Sequence, residues 1–313
     1  MNLNLERHKT SWIVGMHDVV VYLSSLPRIA DRNRKVQVLQ AFYQGACNIG
    51  VDAVIQSNPQ VIPARLAVIL GWVGTSIAGP HIQLRKDVIA SQQKLNRHVM
   101  AIDGSCFKFA DTNSRWLRYS LGGVFYNTNN YGNRGSGNQK WNLMRKDLGL
   151  EMLPWRSQGN HVLVCLQRDG GWNLKGVDME HWTNITIKRL RTHTDRPILV
   201  RPHPKAPLNS TKITNLPNVS ISTGTSLQQD LAGAWASVFF NSSSCVASIL
   251  AGIPVISMDP DCVAWQVSDH DLSSIENPRL FERQQWLNDL AACHWSDNES
   301  MSGAIYRHFE TWI

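Results

Sequence analysis

Several signatures of common protein classes are absent from this sequence. It contains no Cys-x-x-Cys pair, and its six cysteines lie apart along the chain, so a zinc site is not expected and the thiols are predicted to be reduced and buried. No apolar run reaches the ~18 residues that a membrane-spanning helix needs, and the first residues form no hydrophobic signal core. We therefore expect a cytoplasmic protein with no membrane partner.

Familiar cofactor and nucleophile motifs are missing as well. The sequence contains neither a Gly-x-Gly-x-x-Gly fingerprint nor a Gly-x-x-x-x-Gly-Lys-Ser/Thr loop, which argues against a nicotinamide cofactor and against P-loop ATP hydrolysis. The segment Gly135-Ser136-Gly137 lacks the spacing of the Gly-x-Ser-x-Gly elbow that carries the nucleophile of α/β-hydrolases. Other motifs must therefore indicate the function.

The charge of the chain is unevenly distributed. Of the 313 residues, 43% are hydrophobic and 18% charged, and the net charge is +7. Residues 1–150 contain 18 Lys and Arg against 8 Asp and Glu, whereas residues 151–313 contain 13 against 16. The basic N-terminal half is either ordinary surface variation or the mark of a polyanionic partner such as DNA.

Short apolar segments alternate with segments of helical periodicity, which predicts an α/β fold with two Rossmann-like domains facing a cleft. Strands are predicted at residues 19–23, 52–55, 66–70, 98–102, 161–166, 197–200, 219–221, 238–240 and 254–257. Helices are predicted at residues 35–49, 84–95, 179–192, 226–234, 245–251, 279–290 and 302–312. The turn-rich residues 111–137 are predicted to form one long loop, either disordered or used for binding.

Two polar motifs follow predicted strands of the second half. Arg201-Pro202-His203-Pro204 comes after one apolar strand, and Asn241-Ser242-Ser243-Ser244 comes after the next but one. In a parallel sheet the carboxyl ends of neighbouring strands face one crevice, where ligands bind. Because a histidine and a hydroxyl cluster at a helix start suit a phosphate, the two motifs predict a nucleotide diphosphate in the C-terminal half.

Together with Gly252-Ile253-Pro254 and the strand after it, the serine cluster resembles the nucleotide-sugar half of GT-B glycosyltransferases. The Arg-Pro-His-Pro motif is similar to the His-Pro motif of bacterial GT-B sialyltransferases and capsule transferases. The resemblance implies a basic acceptor-binding domain (1–155), a nucleotide-sugar-binding domain (156–290) and a C-terminal helix (291–313) that packs on the first domain. The implied donor-binding residues are Gly170, Gly171, Lys175, Arg201, His203, Ser242, Ser243 and Ser244.

Two of these residues have a structural alternative. Lys175 is either a phosphate ligand or an ordinary surface lysine, and Arg201 either adds charge to the site or pairs with a nearby carboxylate. The donor is expected to be a nucleotide sugar, with UDP-sugars favoured. Since the GT-B fold commonly works without a metal, no essential metal or other cofactor is expected.

An inverting transfer also needs a base that takes the proton of the acceptor hydroxyl. Asp103 is the first candidate, because it ends a predicted strand and resembles the Asp-Gly of GT-B sialyltransferases, although Ile102 replaces the acidic residue that precedes it there. Asp18, at the start of the first predicted strand, is the second. Asp259 and Asp261 follow the last core strand and either touch the donor sugar or shape a turn.

In its Gln-Arg-Asp-Gly-Gly-Trp turn (residues 167–172), its Arg-Pro-His-Pro motif and its general size, the chain also resembles phage-encoded glycosyltransferases that modify hydroxymethylated pyrimidines in DNA. That resemblance implies a base flipped out of duplex DNA in the host cytoplasm, with Arg115, Arg118 and Arg134 contacting backbone phosphates. Two alternatives stay open. One is transfer to a capsule, lipopolysaccharide or teichoic-type acceptor, and the other is a non-catalytic nucleic-acid-binding protein on a transferase scaffold.

Overall fold

The N-terminal half of the computed structural model is built around a six-stranded sheet. The structure describes residues 16–27, 32–73, 79–169, 171–206, 213 and 216–313. The strands of this sheet are β1 (His17–Tyr22), β2 (Ala53–Gln56), β3 (Ala64–Leu70), β4 (His98–Asp103), β5 (Trp116–Leu121) and, from the end of the chain, β11 (His294–Ser296). Their order is β11-β5-β4-β3-β1-β2. The first four strands are parallel, and β5 is antiparallel to both β4 and β11.

The C-terminal half contains a five-stranded parallel sheet. Its strands are β6 (His161–Cys165), β7 (Ile198–Arg201), β8 (Val219–Ile221), β9 (Ala234–Phe239) and β10 (Val255–Ser257), in the order β10-β9-β6-β7-β8. The chain runs from β6 outwards to β8 and then returns to the other side of β6. The topological switch point therefore lies between β6 and β9, which is where open α/β sheets bind their ligands.

Helices join these strands and bury both faces of each sheet. They are α1 (Arg32–Asn48), α2 (Pro80–Lys94), α3 (Gln139–Leu148), α4 (Met179–Arg191), α5 (Leu227–Leu231), α6 (Cys245–Leu250), α7 (Gln284–Ala292), α8 (Asp297–Met301) and α9 (Ala304–Phe309). Along β1, Val19 and Val21 pack into one apolar cluster, and Val20 and Tyr22 into another. This alternation is the two-residue period of a strand that is buried on both sides.

The predicted fold class is confirmed, with three local differences. Residues 111–137 are not one loop, because Trp116, Tyr119 and Leu121 are buried and form β5. The helix predicted over 226–234 stops at Leu231, and β9 already begins at Ala234. The segment 291–313 contains β11 and two short helices rather than a single helix, and α8 packs against α1.

The two halves share one apolar core. Phe107, Trp141 and Met144 of the first half belong to the same buried cluster as Val246 and Trp286 of the second. The Phe107 and Trp141 rings stack with their centroids 6.1 Å apart. Because a packed core resists sliding, the carboxyl edges of the two sheets are held in a fixed mutual position.

The segment that connects the two halves crosses Gly252. The Leu153 N–H donates to the Leu250 carbonyl at 2.8 Å, and the Arg156 N–H donates to the Gly252 carbonyl at 2.7 Å. A Cβ at Gly252, whose φ is +72°, would lie 1.9 Å from the carbonyl oxygen of Pro154. The glycine of the Gly-x-Pro segment is therefore required by linker packing and by its left-handed backbone.

A buried histidine ties the shared core to the loop after β4. His294 Nδ1 donates to the Leu290 carbonyl at 2.8 Å, and Nε2 accepts from the Cys106 N–H at 3.0 Å. Burial, reinforced by the nearby Arg118 charge, lowers the pKa of His294 to about 3. The ring is therefore neutral near pH 7, with its proton on Nδ1.

The substitution His294→Gln should change how stability depends on pH. The unfolded chain binds a proton at His294 near pH 6.5, whereas the folded chain resists it down to about pH 3, so acid favours unfolding of the wild type. Below about pH 6, the wild-type free energy of unfolding in urea should fall by about 1.4 kcal/mol per pH unit relative to the variant. A pH-independent difference would contradict a buried neutral His294.

Candidate active site

A cavity of about 230 Å³ opens at the carboxyl ends of β6, β7 and β9, next to the N-terminal half. The structure brings the two sequence motifs together here, since residues 201–204 and 242–244 line the same space. Residues 106, 108 and 109 line it from the N-terminal half. Its polar lining side chains are Lys108, Arg201, His203, Ser242, Ser243 and Ser244.

Three amide side chains join the ends of β6 and β9. Asn241 Oδ1 accepts hydrogen bonds from Gln167 Nε2 at 2.7 Å and from Asn173 Nδ2 at 3.3 Å. The Asn241 N–H donates to Gln167 Oε1 at 3.0 Å. This network spans the topological switch point and fixes the backbone that enters the serine cluster.

The serine cluster presents hydroxyls to the cavity. The Ser242 and Ser244 hydroxyls share a hydrogen bond of 2.7 Å, and Ser243 is exposed. The backbone N–H groups of residues 245–247 already donate to the carbonyls of these serines at 3.0–3.2 Å. A bound anion is therefore expected to contact the hydroxyls rather than the helix start that the sequence indicated.

His203 lies opposite the serines among positive charges. Its Nδ1 accepts the Lys205 N–H at 3.1 Å, so the neutral ring carries its proton on Nε2. Burial, followed by the Arg168, Lys205 and Lys108 charges, lowers the pKa of His203 below its ordinary value. An anion among these cations would have the opposite effect on the pKa.

Arg201 is held by a carboxylate, which is the structural alternative predicted for it. Its Nη1 donates to Asp230 Oδ2 and to the Ser226 carbonyl, the latter at 3.0 Å. The Arg201 side chain is 12% exposed and that of Asp230 7%. Arg201 borders the cavity, and its ion pair anchors the end of β7 to the start of α5.

A second cavity, of about 150 Å³, adjoins the first and contains Asp103. The two cavities share Cys106 and Ser243 in their linings. Arg118 Nη2 donates to Asp103 Oδ2 at 2.6 Å, and Arg118 Nε donates to the Gly104 carbonyl at 2.9 Å. Arg118, whose side chain is 12% exposed, thereby orients the Asp103 carboxylate, and its contact with DNA stays a prediction.

A third cavity, of about 430 Å³, meets the other two on the N-terminal side. It shares Asp103 with the second cavity and Lys108 with the first. Arg34 and Lys35 of α1 line its far side. The Asp103 carboxylate therefore lines both the second and the third cavity, next to the cavity of His203 and the serines.

The remaining predicted donor residues are placed differently. Lys175 Nζ lies 2.5 Å from Asp261 Oδ2 and 3.3 Å from Asp259 Oδ1. Burial opposes the ammonium charge, but the bonds to Asp261 and Asp259 outweigh it and raise the pKa of Lys175. Gly171 begins a one-turn helix, because its carbonyl accepts the Leu174 N–H at 3.0 Å. Gly170 lies outside the described residues.

Asp18, the second candidate base, lies away from the cleft that contains Asp103. Asp18 lies near the amino end of β1, whereas Asp103 ends the parallel β4, so the two occupy opposite edges of the sheet. Arg65 Nη1 pairs with Asp18 Oδ1 at 3.3 Å. Asp18 thus lies at the edge of the sheet that is opposite to the cleft.

The predicted DNA-binding arginines do not form one surface. Arg115 Nη1 pairs with Asp147 Oδ1 at 2.7 Å and lines a separate cavity. Arg134 is exposed in a groove formed by residues 127–134 and Trp312. Since Arg118 lies beside Asp103, the three guanidinium groups lie at three different places.

The roles of three residues at the site were not predicted from the sequence. Lys108 lies in the connection between β4 and β5, and only the folded chain brings it to His203. Gln167 begins the Gln-Arg-Asp-Gly-Gly-Trp turn, and Asn173 follows it. An amide two residues after the buried strand β6 was the available signal for Gln167.

Comparison with solved structures identifies the fold. Two structures from Thermosulfurimonas dismutans resemble the chain over most of its length. The KpsC β-Kdo 2,4 transferase is 13% identical, with a TM-score of 0.55 over 88% of this chain and 90% of that one. The KpsC β-Kdo 2,7 transferase is 14% identical, with a TM-score of 0.54 over 95% and 100%. The fold is that of GT-B glycosyltransferases.

Other comparisons add no further relative. No family model and no curated protein sequence matches the chain. In the part of the chain that the structure describes, none of the helices has the length and apolar character needed to cross a membrane.

Replacing Arg201 tests whether it acts as a structural partner. Arg201→Met should lower the free energy of unfolding by about 3 kcal/mol, because it leaves the buried Asp230 carboxylate without its cation. Arg168→Met, an exposed control after the neighbouring strand, should change it by less than about 0.5 kcal/mol. Unchanged stability in Arg201→Met together with lost nucleotide binding would instead make Arg201 a ligand-binding residue.

Proposed function

We propose that the protein is a glycosyltransferase that moves a sugar from a nucleotide-sugar donor to an acidic glycan. The observation that carries this proposal is the adjacency of three cavities. The His203 and serine cavity, the Asp103 cavity and the cationic N-terminal cavity share lining residues. A donor phosphate, a base and an acceptor would thus meet at one point.

The donor phosphate is assigned to the cavity of His203 and the serines. His203 would donate from Nε2, and Lys108 would add charge from the other half. From the facing loop, Ser243 would donate together with one hydroxyl of the hydrogen-bonded Ser242 and Ser244 pair. Charge-assisted hydrogen bonds to phosphate oxygens are about twice as strong as neutral ones. These groups also stabilise the negative charge that grows on the phosphate as the sugar leaves.

Asp103 is assigned as the base of an inverting reaction. The acceptor oxygen bonds to the anomeric carbon, the bond from that carbon to the donor phosphate oxygen breaks, and Asp103 takes the acceptor hydroxyl proton. The ion pair with Arg118 holds Oδ2 at 2.6 Å. Oδ1 then remains to receive the proton.

The acceptor is assigned to the cavity of Arg34, Lys35 and Lys108. This cavity of about 430 Å³ is lined by Lys108, by Lys35 and by Arg34, whose Nη1 also pairs with Asp297 Oδ2 at 2.6 Å. Its basic lining suits an acidic sugar residue. The similar fold of two proteins named as Kdo transferases supports a saccharide substrate. Duplex DNA is a second candidate, favoured by the basic N-terminal half, but the separation of Arg115, Arg118 and Arg134 gives it less support.

His203 makes donor binding pH-dependent. Its pKa is low in the free protein and should rise beside a bound phosphate, so binding takes up a proton and strengthens as the pH falls. The ligand for this test is a nucleotide sugar, because its esterified phosphates do not titrate in this range. The affinity of the protein for it should be higher at about pH 5.5 than at about pH 7.5. The His203→Gln variant should bind the nucleotide sugar about tenfold more weakly and lose this pH dependence. If the variant keeps the pH dependence, His203 does not bind the donor phosphate.

A transfer assay tests the reaction and its acceptor. The protein is incubated with UDP-, GDP- or CMP-sugars and with acidic glycans, neutral glycans, or unmodified and hydroxymethylated DNA, and products are weighed by mass spectrometry. Asp103→Asn should reduce turnover at least about 100-fold while retaining donor affinity, and Asp18→Asn should match the wild type.

Three outcomes of that assay are decisive. A mass gain on an acidic glycan supports the proposal, and a gain only on hydroxymethylated DNA replaces the acceptor. No gain on any acceptor, with no binding of any nucleotide sugar, would contradict a glycosyltransferase. Activity is expected to survive EDTA, because the Asp-x-Asp pair of Asp259 and Asp261 is occupied by Lys175.

A further inference from the structure

The loop after β5 separates the Asp103 cavity from a second open groove. Residues 124–126 line the Asp103 cavity, and residues 127–134 line a groove of about 440 Å³ on the neighbouring side. Trp312 completes the lining of this groove. The proposed function makes no use of it.

Four asparagines hold this loop in place, each through one of the two polar atoms of its side-chain amide. Asn129 Oδ1 and Asn130 Oδ1 each accept a backbone N–H at 2.9 Å, whereas Asn127 Nδ2 and Asn133 Nδ2 donate to backbone carbonyls at 2.7–2.8 Å. The other side-chain atom of each amide has no hydrogen-bond partner among the described residues, and Asn127 Oδ1 is buried as well. Because Asn127 Oδ1 is buried, the groups that remain for a ligand are the Nδ2 donors of Asn129 and Asn130 and the Oδ1 acceptor of Asn133.

An exposed aromatic ring borders that wall. Trp312 is 42% exposed, although it is a large hydrophobic side chain. Gly132 has a φ of +62°, and a Cβ there would lie 2.4 Å from His308 Nε2 and 3.1 Å from Trp312 Cη2. The glycine thus allows the ring to lie directly against the asparagine loop.

We propose that this groove, lined by residues 127–134 and Trp312, binds an acidic oligosaccharide. A wall that offers amide donors on Asn129 and Asn130 and an amide acceptor on Asn133 matches the hydroxyls of a pyranose, and the Trp312 ring can stack on its C–H face. Arg134, exposed at the groove, would pair with a sugar carboxylate. A nucleic-acid strand would need cations for successive phosphates, and Arg134 is the single cation among these described lining residues.

The groove extends the proposed function without depending on it for binding. The groove and the Asp103 cavity lie on either side of one loop, so an acceptor that occupies both must be long enough to pass around this loop. Only the claim that this glycan is the acceptor of the transfer reaction rests on the proposed function. Binding measured without any nucleotide sugar therefore tests the groove separately from the reaction.

The test is calorimetric titration of the full chain with three probes. These are the hexasaccharide of galacturonic acid, neutral maltohexaose and the oligonucleotide hexathymidylate. Trp312→Ala should weaken binding of the acidic hexasaccharide about tenfold, and Trp312→Phe should restore most of it. Arg134→Gln should weaken the acidic probe and leave the neutral one unchanged.

Two controls separate the groove from other surfaces. Leu280→Ala removes a side chain that is 57% exposed elsewhere and should bind like the wild type. His203→Ala should weaken nucleotide-sugar binding about tenfold or more and keep hexasaccharide binding. No binding of the acidic hexasaccharide by the wild type, equal binding by Trp312→Ala, or tighter binding of hexathymidylate would overturn the proposal.

Discussion

The apolar core that the two halves share is the constraint on which the rest of the structure depends. Phe107 and Trp141 pack on one side of it and Val246 on the other, so the carboxyl edges of both sheets face one cleft. His294 adds a polar bond inside this core and holds the backbone of Cys106, a residue that lines both inner cavities. The packing of apolar side chains thus determines the distance between a phosphate site and a carboxylate.

Electrostatics then acts on that fixed geometry. The cations nearest to His203 come from separate segments of the chain: Arg168 after β6, Lys205 after β7 and Lys108 after β4. They oppose protonation of the empty ring and attract an anion to the same place. Arg201 and Arg118, by contrast, form ion pairs with Asp230 and Asp103. Arg201 and Arg118 therefore stabilise the walls of the cleft, whereas a ligand can reach the three cations near His203.

Much of the fold and part of the site could be predicted from the sequence. The parallel strands carry continuous apolar runs, and polar residues directly after them marked His203 and the serines. Strand β5 could not be predicted in the same way, because Arg118 interrupts its apolar pattern and turn residues surround it. The ion pairs of Arg118 and Arg201 join residues that are 15 and 29 positions apart in the sequence. Lys108 reaches His203 only through tertiary packing.

A crystal structure of the protein with its tightest-binding nucleotide sugar tests the central claim most directly. The account predicts a donor phosphate within hydrogen-bonding distance of His203 Nε2 and the Ser243 hydroxyl, with the anomeric carbon of the sugar facing Asp103. A phosphate bound outside the cavity of residues 201–204 and 242–244, or a sugar directed away from Asp103, would contradict it.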